Sequence, residues 1–459
     1  MSSRAPAAAF IAAGLLLNGC TAGGTGTAFT PPNGDSAPTR NRSSNHLQHI
    51  VLVIQENRSF DNLFATFPGA DGATSGKNSK GQTVTLVKAN LAGALDVNHA
   101  SKAFLAAYDN GKMDGFNLEG IDGNNPAGNY PYQYVNPSKI KTYWTLAQQY
   151  ALADHMFQTQ GSGSFTAHQD LIAGTTAGTF GTLTGSLIDY PSNFKNWGCD
   201  APAGTTTPIT QWNGSYPIPI NTSGPFPCLT YPTGTLRDLL DEKKVSWKYY
   251  APPYVNATAG TLWNAFAAID AVRHGPEWAT NISTPEKNVI TDVRNGKLPA
   301  VSWVIPDQPH SDHPNGKGAP DEGPSWVASV VNAIGKSSYW NSTAVIVVWD
   351  DWGGFYDHEP PPFLDHAGGL GFRVPMIVVS PYVAAGTISH TKYEFGSILK
   401  FIEDTFDLGS LGTTDKRATS IGNMFDFAQK PRAFQAIPAD RSLEQIMHEP
   451  VSTAPIDSE

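Results

Sequence analysis

Charged residues are scarce in this 459-residue chain, at 15% of the sequence. The formal net charge of −10 leaves no basic excess, which argues against nucleic acid as a partner. Apolar residues reach 40%, so the scarcity of charge does not indicate disorder; the 44 glycines and 35 prolines instead indicate a folded, loop-rich chain. The length allows one elaborated α/β domain or two domains.

The beginning of the chain lacks an apolar run long enough to span a membrane. Residues 7–17 form a short apolar stretch after Arg4, which is the pattern of an export signal. Leu17, Gly19 and Cys20 are similar to a bacterial lipobox, whereas Asn18 is atypical there, so that lipidation at Cys20 and ordinary secretion both stay open. We expect a signal over residues 1–20, a flexible tether over 21–44 and an extracytoplasmic protein: periplasmic, lipid-anchored or secreted.

Cysteine is equally scarce, and after Cys20 only Cys199 and Cys228 remain. Two cysteines without a nearby histidine make a poor zinc site. In an oxidising compartment the simplest interpretation is a disulfide between them. It would close a loop rich in Gly, Pro, Thr and Asn within residues 174–231, a segment that we interpret as a cap inserted over the functional site.

Two apolar runs in the sequence each end in acidic residues. Residues 50–54 and 344–349 are continuous and rich in β-branched side chains, which is typical of strands buried on both faces. In open α/β sheets, ligands bind outside the carboxyl ends of such strands. Neighbouring carboxylates repel each other unless a cation or a proton lies between them. A hard divalent cation is therefore predicted at the four residues that follow these runs, with helix capping or a solvated acidic turn as the alternative: Glu56, Asn57, Asp350 and Asp351.

The rest of the chain alternates between strand and helix patterns. Further strands are predicted over residues 245–250, 300–305 and 374–380, and helices over 101–108, 140–155, 236–243, 262–272, 325–334 and 395–406. This alternation without an internal repeat indicates a mostly parallel sheet wrapped by helices.

Ser164 is the candidate nucleophile because it follows a Gly/Ser turn and opens a helical segment. A metal could ionise its hydroxyl, as it lowers the pKa of bound water. A plain flexible turn is the alternative. This turn has no Gly-x-Ser-x-Gly elbow, so a Ser-His-Asp hydrolase is the weaker interpretation. The histidines in loops have no role on local sequence alone.

Several unusual motifs together resemble the bacterial phosphoesterase family of phospholipase C and acid phosphatase enzymes. The resemblance covers residues 49–408 and rests most of all on the segments 56–61, 312–314 and 350–362. It implies the alkaline phosphatase-like superfamily, and with it a three-layer α/β/α sandwich. The domain would then span residues 45–459 and include the loop-rich cap insertion.

The same resemblance implies roles for individual residues. Glu56, Asn57, Asp350 and Asp351 match ligands of a divalent metal ion of unknown identity. Ser164 matches the family's nucleophile, although Gly163 replaces the proline that usually precedes it. Two histidines match residues that line the phosphate site, and a third matches a motif histidine and is an additional candidate; they are His99, His313 and His358.

The function implied is metal-dependent hydrolysis of a phosphate ester through a phosphoseryl intermediate. An acid phosphatase-like phosphomonoesterase is favoured, because Asp351 stands where many relatives have glutamate. A phospholipase C that cleaves phosphodiesters of phospholipids is the alternative, and membrane contact would then come through the lipid substrate or an anchor at Cys20. The aromatic residues of the cap would line a lipid groove or simply pack: Trp197, Trp212, Tyr216 and Phe226.

Two other functions are less compatible with the sequence. A sulfatase is disfavoured because residues 45–459, the predicted domain, lack the Cys/Ser-x-Pro-x-Arg signature. The one match to this pattern, Ser36 to Arg40, lies in the predicted tether. A non-catalytic surface lipoprotein that retains the fold is the alternative from a different class. The presence of every implied metal ligand together with Ser164 argues against it.

Overall fold

The strand predicted at residues 50–54 lies near the middle of the largest sheet. A computed structural model describes residues 46–92, 95–121, 125–180, 183–189, 197–210, 222–226, 228–314, 322–362 and 369–456. The predicted export signal and tether lie outside the described residues, as do Cys20, Trp212 and Tyr216.

The strands, in chain order, are β1 His49–Gln55, β2 Ser75–Lys77, β3 Thr83–Thr85, β4 Val87–Ala89, β5 Gly120–Ile121, β6 Asn125–Pro126, β7 Gln133–Val135, β8 Ala151–Ala153, β9 Met156–Phe157, β10 Ala177–Phe180, β11 Leu183–Leu187, β12 Thr206–Thr210, β13 Thr222–Pro225, β14 Trp247–Tyr250, β15 Ile282–Ser283, β16 Val301–Val304, β17 Thr343–Trp349, β18 Met376–Val379, β19 Thr387–Ser389 and β20 Tyr393–Glu394.

The α-helices are α1 Phe60–Phe64, α2 Ser101–Tyr108, α3 Lys141–Gln149, α4 Ser164–Ala173, α5 Leu236–Glu242, α6 Ala259–Leu262, α7 Asp270–Arg273, α8 Glu277–Thr280, α9 Asn288–Arg294, α10 Glu322–Gly335, α11 Phe395–Phe406 and α12 Leu443–His448. Among the described residues, no helix is both long and apolar enough to cross a membrane.

The central sheet has eight strands in the order β15-β14-β16-β1-β17-β18-β8-β19. Neighbouring strands are parallel except where β18 pairs with β17 and with β8. Every strand but β18 therefore ends at the same edge of the sheet. The prediction of a mostly parallel sheet is confirmed.

The sheet is covered on both faces. Every residue of β17 is buried, and so is every residue of β1 after His49. β-branched strands with no solvent face need helices on both sides. The helices pack in two groups: α3, α9 and α12 contact α10, whereas α5 and α11 contact α4. This is the three-layer α/β/α arrangement that the resemblance implied.

A separate antiparallel sheet, β10-β11-β12-β13, falls within the segment predicted as a cap. The predicted disulfide between Cys199 and Cys228 is confirmed. The rings of Trp197 and Phe226 pack against each other and against Phe165 of α4, with centroids 5.5–6.1 Å apart, so these two cap aromatics take part in packing. That the segment covers the functional site stays a prediction.

Two predicted helices are wrong in extent. The helix predicted over residues 140–155 ends at Gln149, because the backbone turns away from helical geometry at Tyr150 (φ −131°, ψ −137°) and the next residues form β8. The helix predicted over 262–272 consists of the short helices α6 and α7, separated by a 3₁₀ turn at Ala265–Ala268.

Candidate active site

The site begins where β1 and β17 end side by side. Gln55 pairs with Trp349 at the last position of both strands, so Glu56 and Asp350 leave the sheet at the same level. The Asp350 N–H donates to the Gln55 carbonyl at 2.9 Å. Both side chains are fully buried. Parallel pairing therefore brings together two carboxylates that are almost 300 residues apart in sequence.

Asn57 is held against Asp350 by a turn that needs glycine. The Asn57 backbone is left-handed (φ +61°), and its N–H donates to Asp350 Oδ1 at 2.9 Å. Gly353 is also left-handed (φ +60°), and a Cβ added to it would lie 2.1 Å from the Asn57 carbonyl oxygen. Only a glycine at this position lets the two turns approach so closely.

Asp351 connects this turn to Ser164. One carboxylate oxygen, Oδ1, accepts the Gly353 N–H at 2.8 Å, and the other, Oδ2, accepts the Ser164 hydroxyl at 3.0 Å. The hydroxyl oxygen also lies 3.4 Å from Asn57 Oδ1. Ser164 is the first residue of α4, so it sits at the positive end of a helix dipole, which favours negative charge.

His99 lies against this cluster, with Nε2 3.7 Å from Asp351 Oδ2, and the ring of His313 lies beside that of His99, with centroids 6.4 Å apart. The Nδ1 atoms face the carbonyls of Val97 (2.6 Å) and Pro314 (2.5 Å), which places the ring proton on Nδ1 in both. Nε2 is then the acceptor nitrogen, and in His99 it lies 2.5 Å from the Asn57 amide nitrogen.

The loop that carries His313 is supported by Arg58. This buried guanidinium donates through Nε and Nη2 to the Asp312 carbonyl, at 2.9 and 2.7 Å. Burial raises the pKa of the Asp312 carboxyl to about 6, partly offset by a 2.6 Å hydrogen bond from the Tyr143 hydroxyl. Arg58 and Asp312 therefore act as structural support.

His168 also belongs to this cluster, although it is not among the site residues predicted from the sequence. It lies one helical turn after Ser164 and faces the same side of α4. Its Nε2 is 2.9 Å from Glu56 Oε1 and 3.8 Å from Asp350 Oδ2. Burial lowers the pKa of His168 to about 4, so the ring is neutral at ordinary pH. From sequence, a histidine on a buried helix face is usually interpreted as a core residue. The signal that could have identified His168 as a site residue is its position four residues after the candidate nucleophile, Ser164.

These residues fit a divalent metal ion. Glu56, His168 and Asp350 each offer a ligand atom within 4.8 Å of the others. Asp350 Oδ2 and His168 Nδ1 are buried without a hydrogen-bond partner among the described residues. A buried carboxylate oxygen left in this state is costly unless a cation or proton compensates it. Carboxylate, amide and imidazole ligands suit hard and borderline divalent ions.

A sequence model of the Phosphoesterase family matches residues 47–409. The chain belongs to the Phosphoesterase family. By this membership it is a phosphoric ester hydrolase. It is 25% identical to Phospholipase C B of Mycobacterium tuberculosis, over 84% of this chain and 78% of that protein. It is 24% identical to the non-hemolytic phospholipase C of Burkholderia pseudomallei, over 92% of this chain and 66% of that protein.

Similarity extends to a plant relative and, more weakly, to solved structures. Non-specific phospholipase C3 of Arabidopsis thaliana is 23% identical over 81% of this chain and 72% of its own. A protein of the alkaline phosphatase superfamily from Vibrio parahaemolyticus is 10% identical and aligns with a TM-score of 0.36, over 83% of this chain and 74% of its own.

In this phosphoesterase, His358 lies in a different cluster from the other predicted site residues. Its Nδ1 is 2.8 Å from Asp61 Oδ2, and its Nε2 is 3.4 Å from Asp71 Oδ1. Burial lowers the pKa of His358, but the hydrogen bond and the charge of Asp61 outweigh it and raise the pKa to about 9. The structure thus brings Glu56, Asn57, Ser164, Asp350, Asp351, His99 and His313 together, and His358 stands apart from them.

Proposed function

We propose that this phosphoesterase hydrolyses its ester by attack of the Ser164 hydroxyl on phosphorus. The observation that carries the proposal is the 3.0 Å hydrogen bond from Ser164 Oγ to Asp351 Oδ2, at the start of a helix and inside a buried acidic cluster. The hydrogen bond holds Oγ in one orientation before substrate binds.

The metal ligands in the proposal are Glu56, Asn57, Asp350, Asp351 and, in addition, His168. A divalent ion bound there supplies positive charge, which lowers the pKa of a nearby hydroxyl and offsets the charge of phosphoryl oxygens. Ser164 Oγ loses its proton along its hydrogen bond to Asp351 Oδ2 and forms a bond to phosphorus while the bond to the leaving oxygen breaks, and that oxygen takes up a proton from His99 or His313. Water then hydrolyses the phosphoserine and restores the hydroxyl.

His99 and His313 are the residues proposed to handle the phosphoryl group and the leaving oxygen. Their Nε2 atoms are the nitrogens that remain once Nδ1 is engaged by backbone carbonyls. Protonated at Nε2, either ring would donate a hydrogen bond to a phosphoryl oxygen or a proton to the leaving alcohol.

The nucleophile is tested with Ser164→Ala and a matched control, Ser162→Ala. Ser162 is equally buried in the same turn, but its hydroxyl contacts Thr166 and Asp189 instead of the acidic cluster. We expect Ser164→Ala to lower kcat by a factor of about 10³ or more, as loss of a nucleophile does elsewhere, with metal content unchanged. Activity of Ser164→Ala equal to that of Ser162→Ala would rule out the nucleophile.

For the substrate, we propose a phosphomonoester, with a phospholipid phosphodiester as the second candidate. The phosphomonoester candidate is based on the adjacent carboxylates Asp350 and Asp351. The phosphodiester candidate is based on the relatives named phospholipase C. Turnover of p-nitrophenyl phosphate, bis-p-nitrophenyl phosphate and phosphatidylcholine, each with and without chelator, separates them. Chelator-sensitive turnover of phosphatidylcholine alone would exclude the monoesterase.

The location and segment boundaries are also proposals. We propose a signal over residues 1–20, a tether over 21–44 and an extracytoplasmic enzyme. Fractionation of cells that produce the full chain, compared with Cys20→Ser, tests this placement. Lipidation predicts that the wild-type chain is found with membranes and the variant in the soluble fraction, whereas ordinary secretion predicts the same fraction for both.

A further inference from the structure

A second group of histidines and carboxylates lies at the same edge of the sheet, two strands further along than β17. Asp154 and His155 follow β8, and His390 follows β19. These two strands are parallel with Ala153 opposite Ser389, so Asp154 and His390 leave neighbouring strand ends. The segment after α1 adds Asp71, and the segment after β17 adds His358 and Glu359.

Each imidazole in this group is fixed by a buried carboxylate on Nδ1. Asp154 Oδ1 lies 2.7 Å from His155 Nδ1, and Asp154 Oδ2 lies 2.7 Å from His390 Nδ1. Asp61 Oδ2 lies 2.8 Å from His358 Nδ1. Asp61 and Asp154 have no exposed side-chain surface. A carboxylate that holds the Nδ1 proton leaves Nε2 as a ligand nitrogen, the usual arrangement around protein-bound metals.

Two of these Nε2 atoms face the same carboxylate. His358 Nε2 is 3.4 Å from Asp71 Oδ1, and His155 Nε2 is 3.4 Å from Asp71 Oδ2. Asp71, His358 and Glu359 each offer a ligand atom within 4.8 Å of the others. The Asp71 side chain is 42% exposed and that of His358 25%, so an ion can enter from solvent.

The group carries more negative than positive charge. Its carboxylates are those of Asp61, Asp71, Asp154, Asp357 and Glu359, and its guanidinium is that of Arg373. Arg373 binds mainly to Asp357, with Nε 2.8 Å from Oδ1, and its Nη1 lies 3.7 Å from Asp71 Oδ2. One guanidinium does not neutralise five carboxylates, so the group favours further positive charge, either protons on the imidazoles or a metal ion.

We propose that Asp71, His358 and Glu359 bind a divalent transition-metal ion of the Zn²⁺ class, with His155 on the other oxygen of Asp71. Imidazole and carboxylate ligands together suit such ions. The bound ion would connect the segments after α1, β8 and β17. This site is separate from the proposed catalytic one and does not depend on it.

The test is a calorimetric titration of the chelator-stripped full chain with Zn²⁺. Asp71→Asn removes the central charge with little change in shape, and Glu359→Gln is a second variant. His274→Gln is the matched control, since His274 Nδ1 also contacts a carboxylate, Asp270 Oδ1 at 2.8 Å, but the cysteines beside it are disulfide-bonded and cannot bind metal.

We expect the wild type and His274→Gln to bind one Zn²⁺ ion more than Asp71→Asn and Glu359→Gln. Each of these two variants should keep the unfolding midpoint of the stripped wild type and the same phosphoesterase activity once reloaded. Equal zinc stoichiometry in the wild type and both cluster variants would overturn the proposal, and so would an equal loss in His274→Gln.

Discussion

Asn57 and Gly353 meet because both adopt left-handed backbone conformations, at φ +61° and +60°. Their close contact aligns the Asn57 side chain with Asp351 and Ser164. A non-glycine residue in this conformation is strained by roughly 1–2 kcal/mol. Asn57 carries such strain beside the proposed metal, where short polar side chains tolerate it best.

Gly353→Ala should lower activity far more than its backbone strain alone explains, because the new Cβ would displace the Asn57 carbonyl. Gly128→Ala is the matched control: Gly128 has nearly the same conformation (φ +57°), and nothing lies within 4 Å of its added Cβ. We expect Gly128→Ala to cost only about 1–2 kcal/mol of stability and to keep full activity. Steady-state kinetics and thermal unfolding of both variants check this, and equal activities would contradict it.

His168→Gln should weaken metal binding without removing a carboxylate. The imidazole either binds the ion or orients Glu56 through its 2.9 Å contact, and loss of such a partner typically costs about 10–100-fold in metal affinity. Metal retained after dialysis, measured by elemental analysis, reports the change directly. His274→Gln, at an exposed histidine, is the control. Unchanged retention in His168→Gln would remove it from the site.

At the scale of elements, the strands and site residues that could be predicted from the sequence are those with a simple apolar pattern. β1 and β17 are long, β-branched and buried, so the acidic residues at their ends stand out. His168 and Tyr150 were not predictable in this way. His168 lies on a buried helix, where a histidine resembles a core residue, and the helical pattern before Tyr150 continues through alanines that tertiary pairing places in β8.

The segment that contains α12 is attached to the body through His310. His310 Nδ1 contacts Asp307, and His310 Nε2 is 2.9 Å from Glu449 Oε2. Burial lowers the pKa of His310, but its hydrogen bond with Asp307 and these charges outweigh it and raise the pKa to about 9. The neighbouring Lys287 donates to the Ile446 carbonyl at 2.9 Å.

Because the folded pKa of His310 exceeds the usual value of about 6.5, its ion pairs add stability that is complete below that pH and is lost as the pH rises through about 9. The free energy of unfolding should therefore differ most between wild type and His310→Gln below about pH 6.5, and the difference should shrink towards alkaline pH. Burial also raises the pKa of Glu286 to about 7, partly offset by the charge of His310, so removal of this charge in His310→Gln should raise the pKa of Glu286 further. A difference that is constant with pH would contradict the prediction.

At the scale of the whole molecule, removal of metal should lower the unfolding midpoint. Glu56, Asp350 and Asp351 are buried together, so their repulsion opposes folding when no cation is bound. An ion present at a hundred times its Kd would stabilise the fold by about 2.7 kcal/mol. Thermal unfolding with and without chelator measures this. In Asp351→Asn, chelator should lower the unfolding midpoint by less than it does in the wild type. An equal decrease would mean that the stabilising metal ion is bound at another site.

The reversed direction of β18 has an electrostatic consequence. Its first residue, Met376, pairs with Val348 near the end of β17 and with Ala153 at the end of β8, so β18 begins where its neighbours end. Arg373 lies shortly before β18 in the chain and is therefore located at the same edge of the sheet. Its guanidinium contacts the carboxylates of Asp61, Asp357 and Asp71. The antiparallel strand thus lies between the two acidic centres and brings a permanent positive charge to one of them. The two ions that we propose would therefore bind on opposite sides of this strand, and only one of them would bind next to a guanidinium.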